Sequence, residues 1–106
     1  MAGSGGDPNL AGLSELDRLV HEPGRLIVLA CLLPVERADY LYVLRQSGLT
    51  QGNLSSHLAK LEAGGYVKVE KTFAGKTPRT LLSLTPVGRA AFKKYREQIT
   101  AVLARL

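Results

Sequence analysis

Residues 48–80 constrain the fold more than any other part of the chain. Within them, Leu54, Leu58 and Leu61 recur at i, i+4 and i+7. That spacing places three leucines on one side of an α-helix, where they can face a core. The sequence therefore predicts a helix over residues 50–63.

Both ends of this helix are marked by suitable residues. Thr50 is a good N-cap, because its hydroxyl can accept a backbone N–H that the first turn leaves without a partner. Gly64 or Gly65 can take the left-handed C′ position at the other end.

The side of the helix opposite the leucines is polar and almost free of acids before Glu62. A face that meets only solvent usually mixes Glu and Lys, whereas short amides and hydroxyls suit base edges and phosphates. Ordinary exposed residues are the alternative interpretation. The side chains concerned are Gln51, Asn53, Ser55, Ser56 and Lys60, and Gly52 leaves room for close approach.

Two short strands follow the helix. Val67 and Val69 alternate with charged residues, which is typical of a half-buried strand, and Leu82 and Leu84 share one face of the return strand. A Gly-Lys-Thr-Pro-Arg loop is expected to join them, with a left-handed turn at Gly75. The hairpin is rich in cations, since residues 68–79 hold four cations and one acid.

Two helices are expected at the start of the chain. Leu10, Leu13, Leu16 and Val20 follow a 3-3-4 spacing, which predicts a first helix near residues 13–21. Ser14 and Asp17 resemble its capping box, and His21 is interpreted as a residue at its C-terminal end. Residues 23–33 are apolar almost all round, which predicts a buried second helix with proline at its first position.

The segment before Thr50 predicts a third helix, residues 40–47, with Asp39 as its N-cap. Gly48 is expected at its C′ position, with Leu49 packing back in a Schellman arrangement. Residues 37–38 can form a very short strand. A helix, a short glycine-containing turn and a second helix make up a helix-turn-helix.

Together these segments resemble the winged helix-turn-helix regulators of the MarR and ArsR type, most closely the small stand-alone winged-helix DNA-binding transcriptional regulators. The resemblance covers residues 13–106. It rests on the motifs Leu54-Ser55-x-His57-Leu58-x-x-Leu61-Glu62, Gly75-Lys76-x-Pro78-Arg79-Thr80 and Leu84-Thr85-x-x-Gly88.

The resemblance implies a mainly α fold with a small β-hairpin wing (α+β), in which residues 50–63 are the recognition helix and 66–84 the wing. The helix would enter the major groove of double-stranded DNA, with the wing at the minor groove. His57 is interpreted as a structural histidine in preference to a base reader. The candidate DNA-binding residues are Thr50, Gln51, Gly52, Asn53, Ser55, Ser56, Lys60, Lys71, Lys76, Thr77 and Arg79.

An extended last helix, residues 86–106, is predicted to support dimerisation. Thr85 and Pro86 suit its N-cap and first position, and its apolar residues repeat at 3-4-3-4 spacing. At about 1.5 Å per residue it is longer than so small a core needs. Packing on the first helix within one chain is the alternative. The candidate dimer-interface residues are Leu13, Leu16, Val20, Phe92, Tyr95, Ile99, Val102, Leu103 and Leu106.

Length and charge agree with one small nucleic-acid-binding domain. The 106 residues carry a net charge of +5 and a pI of about 9.7, which favours polyanionic partners. Residues 9–106 are expected to form one domain behind a disordered tail, residues 1–8. No signal peptide or membrane span is predicted from the sequence, so a cytoplasmic protein is expected.

The remaining chemistry is sparse. Cys31 lies in an apolar run, so a buried, inert thiol is favoured over a redox switch. With one Cys and two His, no metal site and no cofactor are predicted. No enzyme is expected, because phosphate loops, catalytic triads and paired acids are absent from the sequence.

The function expected from the sequence is that of a sequence-specific, double-stranded DNA-binding transcriptional regulator acting as a homodimer, with repression favoured. Two alternatives stay open: a winged-helix protein-interaction module of a larger assembly, and a non-specific architectural DNA binder. The sequence indicates neither an effector nor a target gene.

Overall fold

The structure is a computed structural model that describes residues 8–106. The predicted fold class is confirmed: helices surround a small antiparallel sheet that ends in a hairpin wing, and a long helix closes the chain. The elements are α1 (Pro8–Ala11), a 3₁₀ helix (Gly12–Glu15), α2 (Pro23–Leu32), β1 (Ala38–Asp39), α3 (Tyr40–Ser47), α4 (Gln51–Ala63), β2 (Val67–Ala74), β3 (Thr77–Leu84) and α5 (Pro86–Leu103).

The core lies between α2, α4 and the sheet. Leu29 and Leu32 of α2, Leu54 and Leu61 of α4, and Leu82 of β3 have no solvent exposure. Burying each such side chain is worth about 1.5–3 kcal/mol relative to leaving it in water. The leucine side of α4 is thus the surface that fixes this helix on the domain.

The sheet has the strand order β1-β3-β2, with antiparallel pairing throughout. Ala74 pairs with Thr77, so Gly75 and Lys76 alone form the turn. Gly75 has φ +65°, which a two-residue hairpin requires and glycine provides without strain. The predicted five-residue loop is therefore wrong in length, because this tight turn lets strand pairing continue to the tip of the wing.

The helix-turn-helix is confirmed. The Asp39 side chain accepts the backbone N–H of Leu41 (2.8 Å) and caps α3, and Gly48 ends α3 with φ +70°. Leu49 packs against the core as expected, but its N–H donates to the Ser47 hydroxyl (3.2 Å).

A Schellman motif ends α4 instead. Gly65 has φ +80° and its N–H donates to the Glu62 carbonyl oxygen (2.9 Å), while the Tyr66 N–H donates to that of Leu61 (2.9 Å). The glycine pair therefore stops the helix in the predicted manner and turns the chain into β2.

The predicted first helix, residues 13–21, is wrong. Helical structure begins earlier, at Pro8, and ends in the 3₁₀ turn at Glu15. The reason is Asp17, whose Oδ1 accepts the backbone N–H groups of Leu19 (2.9 Å) and Val20 (3.3 Å) and holds these residues in a turn. The predicted capping box of Ser14 and Asp17 does not form either, because the Ser14 hydroxyl donates to the Ala11 carbonyl oxygen (2.8 Å).

The remaining differences concern the ends of the chain. His21 does not end a helix; it follows the turn, and its Nδ1 lies 2.7 Å from the Tyr95 hydroxyl. The predicted helix 86–106 ends at Leu103. The predicted tail lies outside the described residues except for Pro8, with which α1 begins. Across residues 8–106, no helix has the length and apolarity needed to cross a membrane.

Candidate nucleic-acid interface

The outer side of α4 is open to solvent along its length. The side chains opposite the leucines are all exposed, whereas Leu54, Leu58 and Leu61 are 0%, 4% and 0% exposed. Packing against the domain therefore uses only one side of the helix. The candidate DNA-binding residues among the exposed positions of α4 are Gln51, Gly52, Asn53, Ser55, Ser56 and Lys60.

The first turn of α4 is held by two contacts. The Thr50 hydroxyl accepts the Asn53 N–H (3.1 Å), as the sequence predicts, so this hydroxyl is occupied by the cap. The Tyr40 hydroxyl donates to the Gln51 carbonyl oxygen (3.3 Å) and lies 2.9 Å from the Ser55 hydroxyl. A tyrosine hydroxyl carries one proton, so in this arrangement Ser55 donates to Tyr40.

Tyr40 is a residue of this surface that the sequence analysis missed. It is the first residue of α3, and its hydroxyl contacts Ser55 on the outer side of α4. No sequence pattern distinguishes such a tyrosine from an ordinary partly buried aromatic.

In the wing, Lys71, Lys76 and Thr77 are exposed. Arg79 is exposed as well but is not a free cation, because its Nε lies 3.0 Å from Asp39 Oδ2. The Leu41 backbone N–H and Arg79 together hold the pKa of the Asp39 carboxyl below its ordinary value of 3.8. The N-cap of α3 thus also holds strand β3 of the wing, at the residue that pairs with Thr72 near the wing tip.

A groove of about 850 Å³ separates α4 from the wing. Leu58 and Ala59 lie on its helix side and Val69 on its strand side, so part of its lining is apolar. Asp39 and Glu62 bring acidic groups to it. Five candidate DNA-binding residues line this groove: Gln51, Ser55, Lys71, Thr77 and Arg79.

His57 turns away from this surface. Its side chain is 17% exposed, and Nε2 lies 3.3 Å from Glu22 Oε2 in the turn before α2. This placement agrees with the interpretation as a structural histidine.

Four of the nine candidate dimer residues belong to the interior of the chain. Leu16, Val20, Tyr95 and Val102 are 6%, 0%, 6% and 4% exposed, because α1 and the 3₁₀ helix pack against α5. They are therefore not available to a second copy while the chain keeps this fold. Phe92 and Ile99 are half-buried, and Leu13, Leu103 and Leu106 are exposed.

A basic cluster on α5, formed by Arg89, Lys93, Lys94 and Arg96, and the thiol of Cys31 on α2 lie outside the candidate residues above. Arg89, Lys93 and Arg96 of α5 surround a small cavity of about 170 Å³ next to Phe92, and Arg89 Nη1 donates to the Leu33 carbonyl oxygen (3.0 Å). Cys31 is half-buried, and burial raises the pKa of its thiol, which lowers its reactivity. Among residues 8–106, no three His, Cys, Asp or Glu side chains lie close enough together to hold a metal ion.

Known proteins are similar to this chain in both sequence and fold. Residues 25–103 match the winged helix DNA-binding domain family. An uncharacterized protein of Methanocaldococcus jannaschii is 38% identical over 71 residues, which cover 67% of this chain and 77% of that protein.

Two solved structures are similar. The transcriptional regulator homologue protein from Pyrococcus horikoshii OT3 has a TM-score of 0.83 and 32% identity, covering 89% of this chain and 95% of that one. A MarR-family transcriptional regulator from Silicibacter pomeroyi has a TM-score of 0.66 and 25% identity, covering 92% and 64%. The family and the fold are those of DNA-binding transcriptional regulators, not of enzymes. The chain belongs to the winged helix DNA-binding domain family and is a DNA-binding transcriptional regulator of the MarR type.

Proposed function

We propose that this regulator binds double-stranded DNA sequence-specifically as a homodimer and represses transcription. The observation that carries the proposal is the exposed, polar outer side of α4, from Gln51 to Lys60, beside a wing with basic residues at its tip. A surface of amides, hydroxyls and single cations suits base edges and phosphates better than it suits an apolar protein partner.

On this proposal, α4 enters the major groove with its N-terminal turn closest to the bases. Gln51 and Asn53 present amides that can pair with adenine N6 and N7. Ser56 contacts a base or a phosphate, Ser55 can accept from a base while it donates to Tyr40, and Lys60, farther along the helix, contacts phosphate. The unpaired backbone N–H groups at the start of α4 favour an additional phosphate.

The groove between α4 and the wing supports this arrangement. A protein that reaches two neighbouring DNA grooves must leave space for the sugar-phosphate strand between them. Lys71 lies on this groove, where it can meet a phosphate, and Lys76 and Thr77 at the wing tip would lie at the minor groove. Arg79 would contact DNA only by sharing or leaving Asp39, which makes it a weaker candidate than Lys76.

The proposed dimer uses the exposed apolar residues at the two ends of the chain. Leu10 and Leu13 are 41% and 43% exposed, and Leu103 and Leu106 are 61% and 87% exposed. Covering them in a two-fold interface would remove apolar surface from water. The DNA half-sites would then lie about 34–36 Å apart, one turn of the double helix.

Selection from random duplex DNA by the purified protein, at about 150 mM salt, tests the proposal. A recovered motif with approximate two-fold symmetry is the expected result. Retention of DNA without a motif would indicate an architectural binder. No retention would overturn DNA reading by this surface and favour a protein-interaction module.

The dimer is tested separately by sedimentation of the double variant Leu103→Glu/Leu106→Glu. We expect it to sediment as a monomer and to protect one half-site. The matched control is Val87→Glu, a change at an exposed residue of α5 (62%) outside the proposed surface. A double variant that sediments like the parent would contradict the proposed interface.

A further inference from the structure

The segment that precedes α2 is fastened to the back of the recognition helix. Leu19 packs directly on Gly64 at the end of α4, so closely that a Cβ at position 64 would overlap its side chain. The Tyr66 hydroxyl, two residues farther on, donates to Asp17 Oδ2. The C-terminal end of α4 is therefore held by residues 17–19.

Arg25 extends this attachment to the middle of α4. Its guanidinium donates through Nε to the Leu19 carbonyl oxygen (2.6 Å) and through Nη2 to that of Arg18 (3.3 Å). Its Nη1 lies 3.4 Å from His57 Nδ1 and 3.7 Å from Glu22 Oε2. Only 12% of the Arg25 side chain is exposed, so this cation serves the interior of the domain.

The contacts of His57 define its hydrogen-bonding state. A guanidinium has donors only, so Nδ1 of His57 must accept from Arg25. Nε2 then carries the proton and donates to Glu22 Oε2 over 3.3 Å. Glu22 also accepts the Gly24 N–H through Oε1, which caps α2. One carboxylate thus joins the start of α2 to a side chain of the recognition helix.

Gly24 allows α2 and α4 to lie close together at this point. A Cβ at position 24 would overlap the His57 ring. The imidazole therefore lies directly on the backbone of the first turn of α2. Any side chain at position 24 would displace the ring from Arg25 and Glu22.

We propose that Arg25, Glu22 and His57 are positioning residues for DNA recognition: they set the orientation of α4 without touching DNA. Base readers act only within narrow limits of distance and angle, and the side chains that support them control those limits. The outer side of α4 carries the readers, while this polar cluster lies on its other side, against α2. This inference rests on the proposed function.

The test compares two variants with a charge-matched control. Arg25→Gln removes the central cation, and Gly24→Ala displaces the His57 ring while it keeps every charged group. Arg96→Gln makes the same charge change on the exposed side of α5. Binding to the selected operator and to a scrambled duplex of equal length is measured over a range of salt concentrations, well below the unfolding midpoint of each variant.

We expect the ratio of operator to scrambled affinity to fall about tenfold in Arg25→Gln and Gly24→Ala, the equivalent of losing about one base contact. The salt dependence on scrambled DNA should match that of Arg96→Gln, because Arg25 contacts no phosphate. If Arg25→Gln fails to fold, Gly24→Ala decides, since it adds one methyl group and removes no charged or hydrogen-bonding side chain.

Two results would overturn the inference. In the first, Gly24→Ala and Arg25→Gln keep the parent's affinity ratio. In the second, Arg25→Gln has a salt slope lower than that of Arg96→Gln by about one, which would make Arg25 a phosphate contact. A parent protein that binds no duplex overturns the proposed function and this inference together, whereas unchanged variants of a parent that binds overturn the inference alone.

Discussion

The two sides of α4 have opposite properties within 13 residues. The inner side carries three leucines that are at most 4% exposed, and His57 at its edge is fixed by Arg25 and Glu22. The outer side carries amides and hydroxyls that are exposed to solvent. One side is saturated with contacts within the chain, whereas the other leaves most of its donors and acceptors unused.

On the proposed function, this difference separates the residues that stabilise the fold from those that contact DNA. The outer residues contribute little to stability, because exposed substitutions usually change the free energy of unfolding by less than about 0.5 kcal/mol. The inner residues determine where the helix lies and never need to meet the ligand. Substitutions on the two sides should therefore affect different measurements.

The largest effect is expected on the inner side. Leu61→Ala removes a side chain with no exposure and should lower the free energy of unfolding by about 2–5 kcal/mol, through lost burial and the cavity left behind. Urea denaturation measures this loss. Ala59→Ser, an exposed change two residues away, is the control. A loss below about 1 kcal/mol would show that the inner side is not the anchor described above.

Asn53→Ala, on the outer side of α4, is expected to weaken DNA binding and to leave stability almost unchanged. Its side chain is exposed, and the Thr50 cap uses only its backbone N–H, so stability should change by less than about 0.5 kcal/mol. Affinity for the selected operator should fall by about 1–3 kcal/mol, and preference at the contacted base pair should relax. Fluorescence anisotropy with operators altered one base pair at a time measures both quantities. Unchanged operator affinity and unchanged base-pair preference would show that Asn53 does not contact the bases.

Tyr66→Phe tests the hydrogen bond that joins Asp17 to the residue after the C-terminal end of α4. The hydrogen bond to Asp17, with a smaller contribution from burial, raises the pKa of Tyr66 from 10.0 to about 12. The folded state therefore keeps a proton that the unfolded state loses, so this stabilisation is complete below pH 10 and disappears as the pH rises towards about 12.

We expect Tyr66→Phe to cost about 1–2 kcal/mol at neutral pH, because a hydrogen bond to a carboxylate is lost at a partly exposed site. The variant should also lose less stability than the parent between pH 10 and 12. Denaturation across this pH range measures both effects. Parallel curves for parent and variant would contradict the role of the Asp17 hydrogen bond.

The recognition helix could be predicted from sequence because its signals are local and agree. The leucine spacing, the Thr50 cap and the glycine stop all fall within 16 residues of one another. The N-terminal leucines have similar spacing but no such agreement: the Asp17 side chain takes the backbone N–H groups of Leu19 and Val20 for itself. Periodicity indicated which residues face the core there, but not the backbone conformation.

For the candidate interface, the sequence indicates residue types but not the contacts among them. Residue types on α4 and the wing indicate the candidate readers. The Tyr40–Ser55 contact and the Asp39–Arg79 pair join residues 15 and 40 positions apart, and no local pattern encodes them. The same reason explains why four residues of the dimer surface predicted from sequence are buried, since the packing of α1 and the 3₁₀ helix on α5 decides which apolar residues stay exposed.

The smallest predicted effect tests whether the proposed DNA-binding surface extends from α4 to the wing. Lys76, in the two-residue turn at the wing tip, is exposed. If it meets one phosphate, Lys76→Ala should reduce the slope of log affinity against log salt by about 0.9, on operator and scrambled DNA alike, and weaken binding about fivefold at 0.15 M salt. Lys94→Ala, an equal charge change at an exposed position of α5, is the control. Slopes equal to the parent's in both variants would remove Lys76 from the proposed DNA contacts, whereas a reduced slope in Lys94→Ala alone would move the phosphate surface to the basic cluster of α5.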